Sequence, residues 1–181
     1  IRVPRGNNKN LLPVMFWIHG GGNTSGTKDF YDFSRLVAKK DVVVVSINYR
    51  LGIFGFFTHP AIQSAGIEPS NFGIVDIIEA LKWVQKNIKN FGGDPNNVTI
   101  FGESAGGHNV LALLVAKQAN GLFHKAISQS GYTESSSLQD AYKPDEINRK
   151  DSADSWSTFN RLLLQKGISN SIEDANKLQS S

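Results

Sequence analysis

Apolar runs alternate with glycine-rich and polar segments along the first half of the chain. Val14–His19 and Asp41–Asn48 are almost continuously apolar and of strand length, a pattern typical of strands buried on both faces of a parallel sheet. Between them lie a glycine-rich loop, Gly20–Gly26, and a segment with helical spacing of apolar residues, Asp29–Lys40. This order predicts a βαβ unit with a right-handed crossover.

The alternation continues beyond the middle of the chain. An apolar stripe over Ile74–Asn90 predicts a helix, and Val98–Phe101 predicts a buried strand. A helix from about Ala105 to Gln118 is apolar on nearly every face and is expected to be covered, and Lys125–Ser130 predicts a last strand. Three successive βα repeats predict the α/β fold class, with a doubly wound and mostly parallel sheet.

Two segments do not follow this alternation. Tyr49–Ser70 is irregular and rich in Gly, Pro and Phe, and its aromatic side chains are expected to pack under a loop. Towards the end of the chain the composition becomes polar, with helical spacing over Ser152–Lys166 and a capping-box pattern at Ser171–Asp174 that predicts a last helix. We therefore expect one domain, in which residues 1–131 form the sheet core and residues 132–181 form peripheral helices.

Composition narrows the classes of function. The chain has 181 residues, of which 40% are hydrophobic and 19% charged, which suits one soluble globular domain. A net charge of +3 with scattered basic residues predicts neither a nucleic-acid-binding nor a membrane-binding surface. The absence of cysteine excludes disulfides, thiolate metal sites and a cysteine nucleophile. No cofactor or metal is expected, and the sequence leaves the compartment and the oligomeric state open.

The central motif is the pentapeptide Gly102–Gly106 (GESAG), which has the form G-x-S-x-G and lies between a predicted strand and a predicted helix. In such a motif the strand turns sharply into the helix, so that the serine sits at the apex with its hydroxyl exposed. A plain turn of small residues is the alternative interpretation. The flanking strand and helix, together with His19–Gly22 (HGGG) upstream, favour a nucleophile elbow at Ser104.

A serine nucleophile requires hydrogen-bond donors for the negative oxygen that develops on its carbonyl substrate. In folds with this elbow, the donors are the backbone N–H of the residue after the serine and N–H groups of a glycine-rich loop after an earlier strand. Here these residues are Ala105, Gly21 and Gly22. A flexible turn or a phosphate loop is the alternative for the glycines. The segment, however, has neither the spacing of a dinucleotide fingerprint nor the Lys-Ser/Thr pair of a nucleotide loop.

Activation of the serine also requires a histidine and an acid that orients it. His19 opens the glycine loop and is expected to be architectural, whereas His108 is expected to lie along the flank of the helix. His59 and His124 are expected to be surface residues or residues satisfied by hydrogen bonds. Glu103 is expected to point away from the apex as a buried structural carboxylate. The sequence therefore identifies no catalytic base.

The chain resembles the type-B carboxylesterase family, which includes cholinesterases and bacterial para-nitrobenzyl esterases, through the segments HGGG, NYRLGIFGFF and NFGIVDIIEALKWVQKNIKNFGGDPNNVTIFGESAGG. Trp156–Leu178 is similar to the helical region that follows the elbow in this family. The resemblance implies a partial α/β-hydrolase fold and a serine carboxylic-ester hydrolase that acts on a small-molecule ester through an acyl-enzyme at Ser104. It also implies Gly21, Gly22 and Ala105 as the oxyanion hole.

Members of this family take their catalytic Glu and His from far beyond the elbow, further than this chain extends. We therefore expect a segment of a larger protein that is inactive by itself. Two features depart from the family pattern: Ile77 stands where the family usually has Gln, and the absence of cysteines suggests a bacterial-type member. A non-catalytic adhesion or scaffold relative is the alternative function, and acyl transfer is the alternative reaction.

Overall fold

The computed structural model describes residues 1–6, 10–59, 71–135, 141 and 155–180. Part of the irregular segment predicted at Tyr49–Ser70, and the start of the helix predicted at Ser152, lie outside these ranges. The chain forms two units. The first contains Ile1–Phe56 and Asn71–Thr133, and the second contains Phe57–Ser70 and Glu134–Ser181.

The described residues of the first unit include a four-stranded sheet in which all neighbouring strands are parallel. Its strands are β1 (Leu12–Ile18), β2 (Val43–Ser46), β3 (Gly93–Glu103) and β4 (Lys125–Gln129), in the order β2-β1-β3-β4. β3 begins earlier than predicted because Leu12 pairs with Gly93 and donates its N–H to the Gly92 carbonyl at 2.8 Å. The predicted α/β class with a parallel sheet is confirmed.

The described helices of the first unit are α1 (Ser34–Lys40), α2 (Ile53–Phe56), α3 (Phe72–Asn87) and α4 (Ala105–Val115). α1, α3 and α4 follow the predicted order, with shifted ends, whereas α2 lies in the segment that was predicted to be irregular. The helix predicted from Asp29 begins only at Ser34. The reason is that the Asp32 carboxylate accepts hydrogen bonds from the Ser34 N–H at 3.0 Å and hydroxyl at 2.6 Å, and so holds a turn. Among the described helices, none has both the length and the apolar character needed to cross a membrane.

The sheet carries an apolar cluster on each face. Side chains alternate between the two faces along a strand, and β1 follows this rule. Val14, Phe16 and Ile18 pack with residues of α3 and α4 in the larger cluster. Met15 packs against the smaller cluster, which contains Val37 of α1. Helices therefore cover both faces, which confirms the doubly wound arrangement and places β1 at the centre of the core.

Two expectations about covered apolar residues are wrong. The last turn of α4 leaves Val115 84% exposed, because this helix packs on the sheet through the stripe that contains Val110 and Leu113. Phe54 was expected to lie under a loop but is 74% exposed. The short helix α2 places Phe56, and not Phe54, against the core.

An ion pair joins the segment after β2 to α3. The Asp76 carboxylate accepts hydrogen bonds from the Arg50 backbone N–H at 3.0 Å and from Nε and Nη2, both at 2.8 Å. The guanidinium also lies over the Phe72 ring, 5.0 Å from its centroid. The hydrogen bonds from Arg50 hold the pKa of Asp76 below its ordinary value. Asp76 therefore links the segment after β2 to α3.

The described part of the second unit contains the helices α5 (Ser155–Gln165) and α6 (Ile172–Ser180), both of which match predicted helices. The Asn176 side-chain carbonyl accepts hydrogen bonds from Trp156 Nε1 at 2.7 Å and from Asn160 Nδ2 at 2.8 Å, which joins the two helices. The predicted cap at Ser171 is confirmed, because its hydroxyl accepts the Asp174 N–H at 3.0 Å.

Candidate active site

Ser104 occupies the junction between β3 and α4. Its backbone has φ 56° and ψ −123°, in a region that residues other than glycine rarely adopt. Hydrogen bonds hold this conformation on both sides. The Ser104 N–H donates to the Gln129 carbonyl at 2.9 Å, and the Ser104 carbonyl accepts the His108 N–H at 2.9 Å. The chain therefore turns sharply from strand to helix at the serine, as the pentapeptide predicts.

The end of β1 and the start of α4 approach each other beside the serine. A Cβ on Gly106 would collide with the carbonyl oxygen of Ile18 and would lie 2.8 Å from that of His19. A larger residue at this position would therefore push the helix away from the end of β1. This geometry explains why the motif needs glycine there.

The glycine loop after β1 lies against the elbow. A Cβ on Gly20 would lie 2.6 Å from the carbonyl oxygen of Glu103 and 3.1 Å from the Cβ of Ser104. The two motifs, far apart in the sequence, thus meet at the carboxyl ends of the adjacent parallel strands β1 and β3. This is the edge of the sheet at which open α/β proteins bind their ligands.

The carbonyl of Gly21 is held by its own loop. It accepts hydrogen bonds from the N–H groups of Thr24 at 3.1 Å and Ser25 at 3.0 Å, and from both hydroxyls at 3.2 Å. Because a trans peptide directs its N–H opposite to its carbonyl, the Gly22 N–H points out of this turn. Within the described ranges, no hydrogen bond uses the N–H of Gly21 or Gly22.

Ala105, the third predicted donor, is the first residue of α4. N–H groups in the first turn of a helix have no partner within the helix, and they lie at the positive end of its dipole. The residue is 1% exposed, so its backbone is held in the protein interior. This places an N–H of the first helical turn directly after Ser104.

A cavity of about 300 Å³ adjoins the loop and the elbow. It is lined by His19, Glu103 and residues of the 20–31 segment. Glu103 was expected to be buried, but it is half-buried. The reason is that it lies at the end of β3, where it lines this cavity. The expectation of a buried structural carboxylate is therefore wrong about its burial.

His19 is architectural, as expected. It is 2% exposed, and its Nδ1 lies 2.8 Å from the carbonyl oxygen of Gly20. Its ring stacks on Tyr49, with 4.5 Å between the ring centroids and 23° between the planes. These contacts fix the residue at which the glycine loop begins.

The other two histidines of the first unit are engaged elsewhere. His108 Nδ1 lies 2.5 Å from the Tyr132 carbonyl oxygen, and the two rings pack with centroids 4.3 Å apart. His124 Nδ1 accepts the Val98 N–H at 3.1 Å. In the part of the first unit that the structure describes, no hydrogen bond reaches the Ser104 hydroxyl.

His59 belongs to the second unit and is buried there. Its Nε2 lies 3.0 Å from Gln179 Oε1, and its ring stacks on Trp156 with centroids 6.1 Å apart. It is a histidine satisfied by its neighbours, as expected.

The sequence gives no direct indication of a polar cluster behind the glycine loop. Asn109 Nδ2 donates to Asn23 Oδ1 at 2.9 Å, and the Tyr49 hydroxyl donates to the His19 carbonyl at 2.7 Å. One signal was present, because Asn109 is polar in a helix that is otherwise largely apolar, and a buried amide requires partners. Which partners it finds depends on the fold.

Comparisons with known proteins agree with this geometry. The sequence model of the carboxylesterase family matches residues 1–154. Liver carboxylesterase 1 of Oryctolagus cuniculus is 55% identical over 130 residues, which make up 72% of this chain and 22% of that protein. The fatty acyl-CoA hydrolase precursor, medium chain, of Anas platyrhynchos is 55% identical over 120 residues, or 66% of this chain and 21% of that protein.

The chain thus spans about a fifth of the length of these curated relatives. Both come from animals, so they give no support to the expectation of a bacterial-type member. Among solved structures, a thermophilic PNB esterase is similar with a TM-score of 0.73 and 40% sequence identity. The match covers 96% of this chain and 33% of that one. This likeness confirms a partial α/β-hydrolase fold.

Proposed function

We propose that the protein hydrolyses carboxylic esters through an acyl-enzyme on Ser104, because the chain belongs to the carboxylesterase family. In the first step the Ser104 oxygen bonds to the ester carbonyl carbon, and the alcohol leaves with a proton. In the second step water attacks the acyl-enzyme, which releases the acid and restores the serine. The observation that carries this proposal is the strained Ser104 backbone at the strand-to-helix junction, with φ 56°.

Gly21, Gly22 and Ala105 are proposed as the oxyanion hole. The support is that the backbone of Gly20 lies so close to Ser104 that an added Cβ would be 3.1 Å from the Ser104 Cβ, and that no hydrogen bond among the described residues uses the Gly21 or Gly22 N–H. The N–H of Ala105 adds a donor from the first turn of α4. Removal of one such donor from a studied protease costs about 10²–10³ in turnover, so this loop is expected to supply a large part of the catalysis.

The Glu and His that complete a triad are proposed to come from elsewhere in the protein. His108 and His124 are engaged with other groups, and His19 supports the loop.

Residues 1–131 and 132–181 are proposed to belong to one α/β-hydrolase domain.

The proposed substrates are short-chain aryl or alkyl esters. The support is the family and the presence of PNB esterases among the similar solved structures. A non-catalytic adhesion or scaffold role is disfavoured, because the elbow serine and the loop glycines are all present. Acyl transfer to an alcohol would use the same groups, with an alcohol replacing water in the second step.

Turnover of a short-chain p-nitrophenyl ester by the full-length protein tests this proposal. Ser104→Ala should abolish turnover while the protein stays folded, because no other group supplies the nucleophile. Ser135→Ala is the matched control, since Ser135 is an exposed serine outside the helices and strands. Turnover that survives in Ser104→Ala, or that is absent from the unmodified protein, would contradict the proposal.

A further inference from the structure

Asn23, the residue directly after the three consecutive glycines of the loop, is held by three residues of the first unit. Its Oδ1 accepts a hydrogen bond from Asn109 Nδ2 on α4 at 2.9 Å. The Tyr49 hydroxyl lies 3.2 Å from the same oxygen, and the Gly52 N–H donates to the Asn23 backbone carbonyl at 2.7 Å. Asn23 has φ 57°, which asparagine tolerates better than most residues with a side chain. The residue thus ties the loop to α4 and to the segment after β2.

Asn109 uses both polar atoms of its side-chain amide in this contact. It is 1% exposed in a helix whose other inward side chains are apolar, and an amide buried there without partners would be strongly unfavourable. Its Nδ2 donates to Asn23, and its Oδ1 accepts from Asn23 Nδ2 at 3.4 Å. The two amides therefore form a reciprocal pair between the glycine loop and the helix that follows Ser104.

Tyr49 fixes the other end of the loop. Its hydroxyl donates to the His19 carbonyl at 2.7 Å, and its ring stacks on the His19 ring. Burial raises the pKa of Tyr49 to about 12, so the hydroxyl keeps its proton at neutral pH and remains a donor. The loop glycines are consequently anchored at His19 before them and at Asn23 after them.

We propose that Asn23, Tyr49 and Asn109 form a positioning network that holds the Gly21 and Gly22 N–H groups at a fixed position relative to Ser104. The inference rests on the proposed function. Oxyanion stabilisation depends on donors that are already in place when the charge develops. A displacement of about 1 Å far from the chemistry is enough to lower a rate by about 10²-fold. Since Asn109 lies on the helix that Ser104 precedes, the amide pair links the donors to the nucleophile directly.

The cavity beside the glycine loop is lined by His19, Glu103 and other residues, and not by Asn23, Tyr49 or Asn109. Loss of the network should therefore affect the transition state more than substrate binding. The expected signature is a lower kcat with a nearly unchanged KM, because the N–H groups are needed chiefly when the oxyanion forms. Inhibition by a trifluoromethyl ketone, whose adduct on the serine carries an oxyanion, should weaken in parallel with kcat. A merely structural role would lower the amount of folded protein and leave both quantities unchanged per active site.

The test uses Asn23→Gly, Asn109→Ala, their double variant and Tyr49→Phe in the full-length protein. Glycine at 23 keeps the positive φ and removes only the side chain. Phenylalanine at 49 keeps the ring stack and removes only the hydroxyl. Gln85→Ala is the matched control, because Gln85 on α3 donates amide hydrogen bonds to the Pro95 and Leu122 carbonyls and contacts neither motif.

Active sites are counted by titration with a fluorophosphonate, so that loss of folding is separated from loss of rate. Each network variant should lower kcat per active site by about 10-fold to 10²-fold. The double variant should be no worse than the poorer single variant, since the two amides act as one pair. If Asn109→Ala does not fold, Asn23→Gly and Tyr49→Phe decide the question.

A kcat per active site that falls no further than in Gln85→Ala, or a rise in KM alone, would overturn the inference and leave the proposed function standing. An unmodified protein with no Ser104-dependent turnover would instead overturn the proposed function, and the inference would fall with it.

Discussion

The backbone of Ser104 provides a quantitative test of the elbow. Both Ser104→Ala and Ser104→Gly remove the hydroxyl, so their difference in unfolding free energy isolates the backbone conformation. With φ 56° and ψ −123°, the residue occupies a region that glycine adopts freely and alanine does not. Local strain of this kind costs about 1–3 kcal/mol.

Glycine would relieve this strain, but it also has more freedom in the unfolded chain. That freedom disfavours glycine relative to alanine by about 0.5–1 kcal/mol at an ordinary position. The difference between the two terms predicts that Ser104→Gly is more stable than Ser104→Ala by about 1 kcal/mol. The opposite sign is expected at Ala112, inside α4, where Ala112→Gly should lose about 1 kcal/mol.

Chemical denaturation of the full-length variants measures these free energies. Two losses of stability are compared: that of Ser104→Gly relative to Ser104→Ala, and that of Ala112→Gly relative to the unmodified protein. If the two losses are equal, the backbone at Ser104 is unstrained. That result would refute the interpretation of Ser104 as a held, strained apex.

Three further substitutions test the structure around the site. Asp76→Asn should lower the free energy of unfolding by about 1 kcal/mol, because Arg50 is half exposed and the pair is screened. Folding lowers the pKa of Asp76. The difference in the free energy of unfolding between Asp76→Asn and the unmodified protein should therefore reach its full size above the unfolded pKa of about 3.9, and it should vanish as the pH falls through the folded pKa. Gly106→Ala should lose about 1–3 kcal/mol in thermal or denaturant unfolding, since its Cβ would collide with the Ile18 carbonyl. Gly21→Ala should lower kcat by about 10²-fold in an ester assay, because φ is 102° there.

The strands and their parallel pairing could be predicted because β1 and β2 are short apolar runs buried on both faces. The helix ends were less predictable, since they depend on single contacts. Asp32 delays the start of α1, and Val115 lies on the face of α4 that leaves the sheet. Apolar periodicity indicates which face of a helix is buried, but it does not indicate how far along the helix the covering structure extends.

The candidate site, too, could be predicted from the sequence only in part. Ser104 and the glycines were predictable because the G-x-S-x-G and HGGG patterns follow from tight turns and close backbone approaches. The pairing of Asn23 with Asn109 and the ion pair of Arg50 with Asp76 were not predictable. In both cases the partners are far apart in the sequence, and only the folded sheet brings them together.

The most direct test of the central claim is to locate the serine that a fluorophosphonate modifies in the full-length protein. Digestion and mass spectrometry should find the adduct on the peptide that contains Ser104, and Ser104→Ala should carry no adduct. An unlabelled protein, or an adduct on any other serine, would contradict Ser104 as the nucleophile.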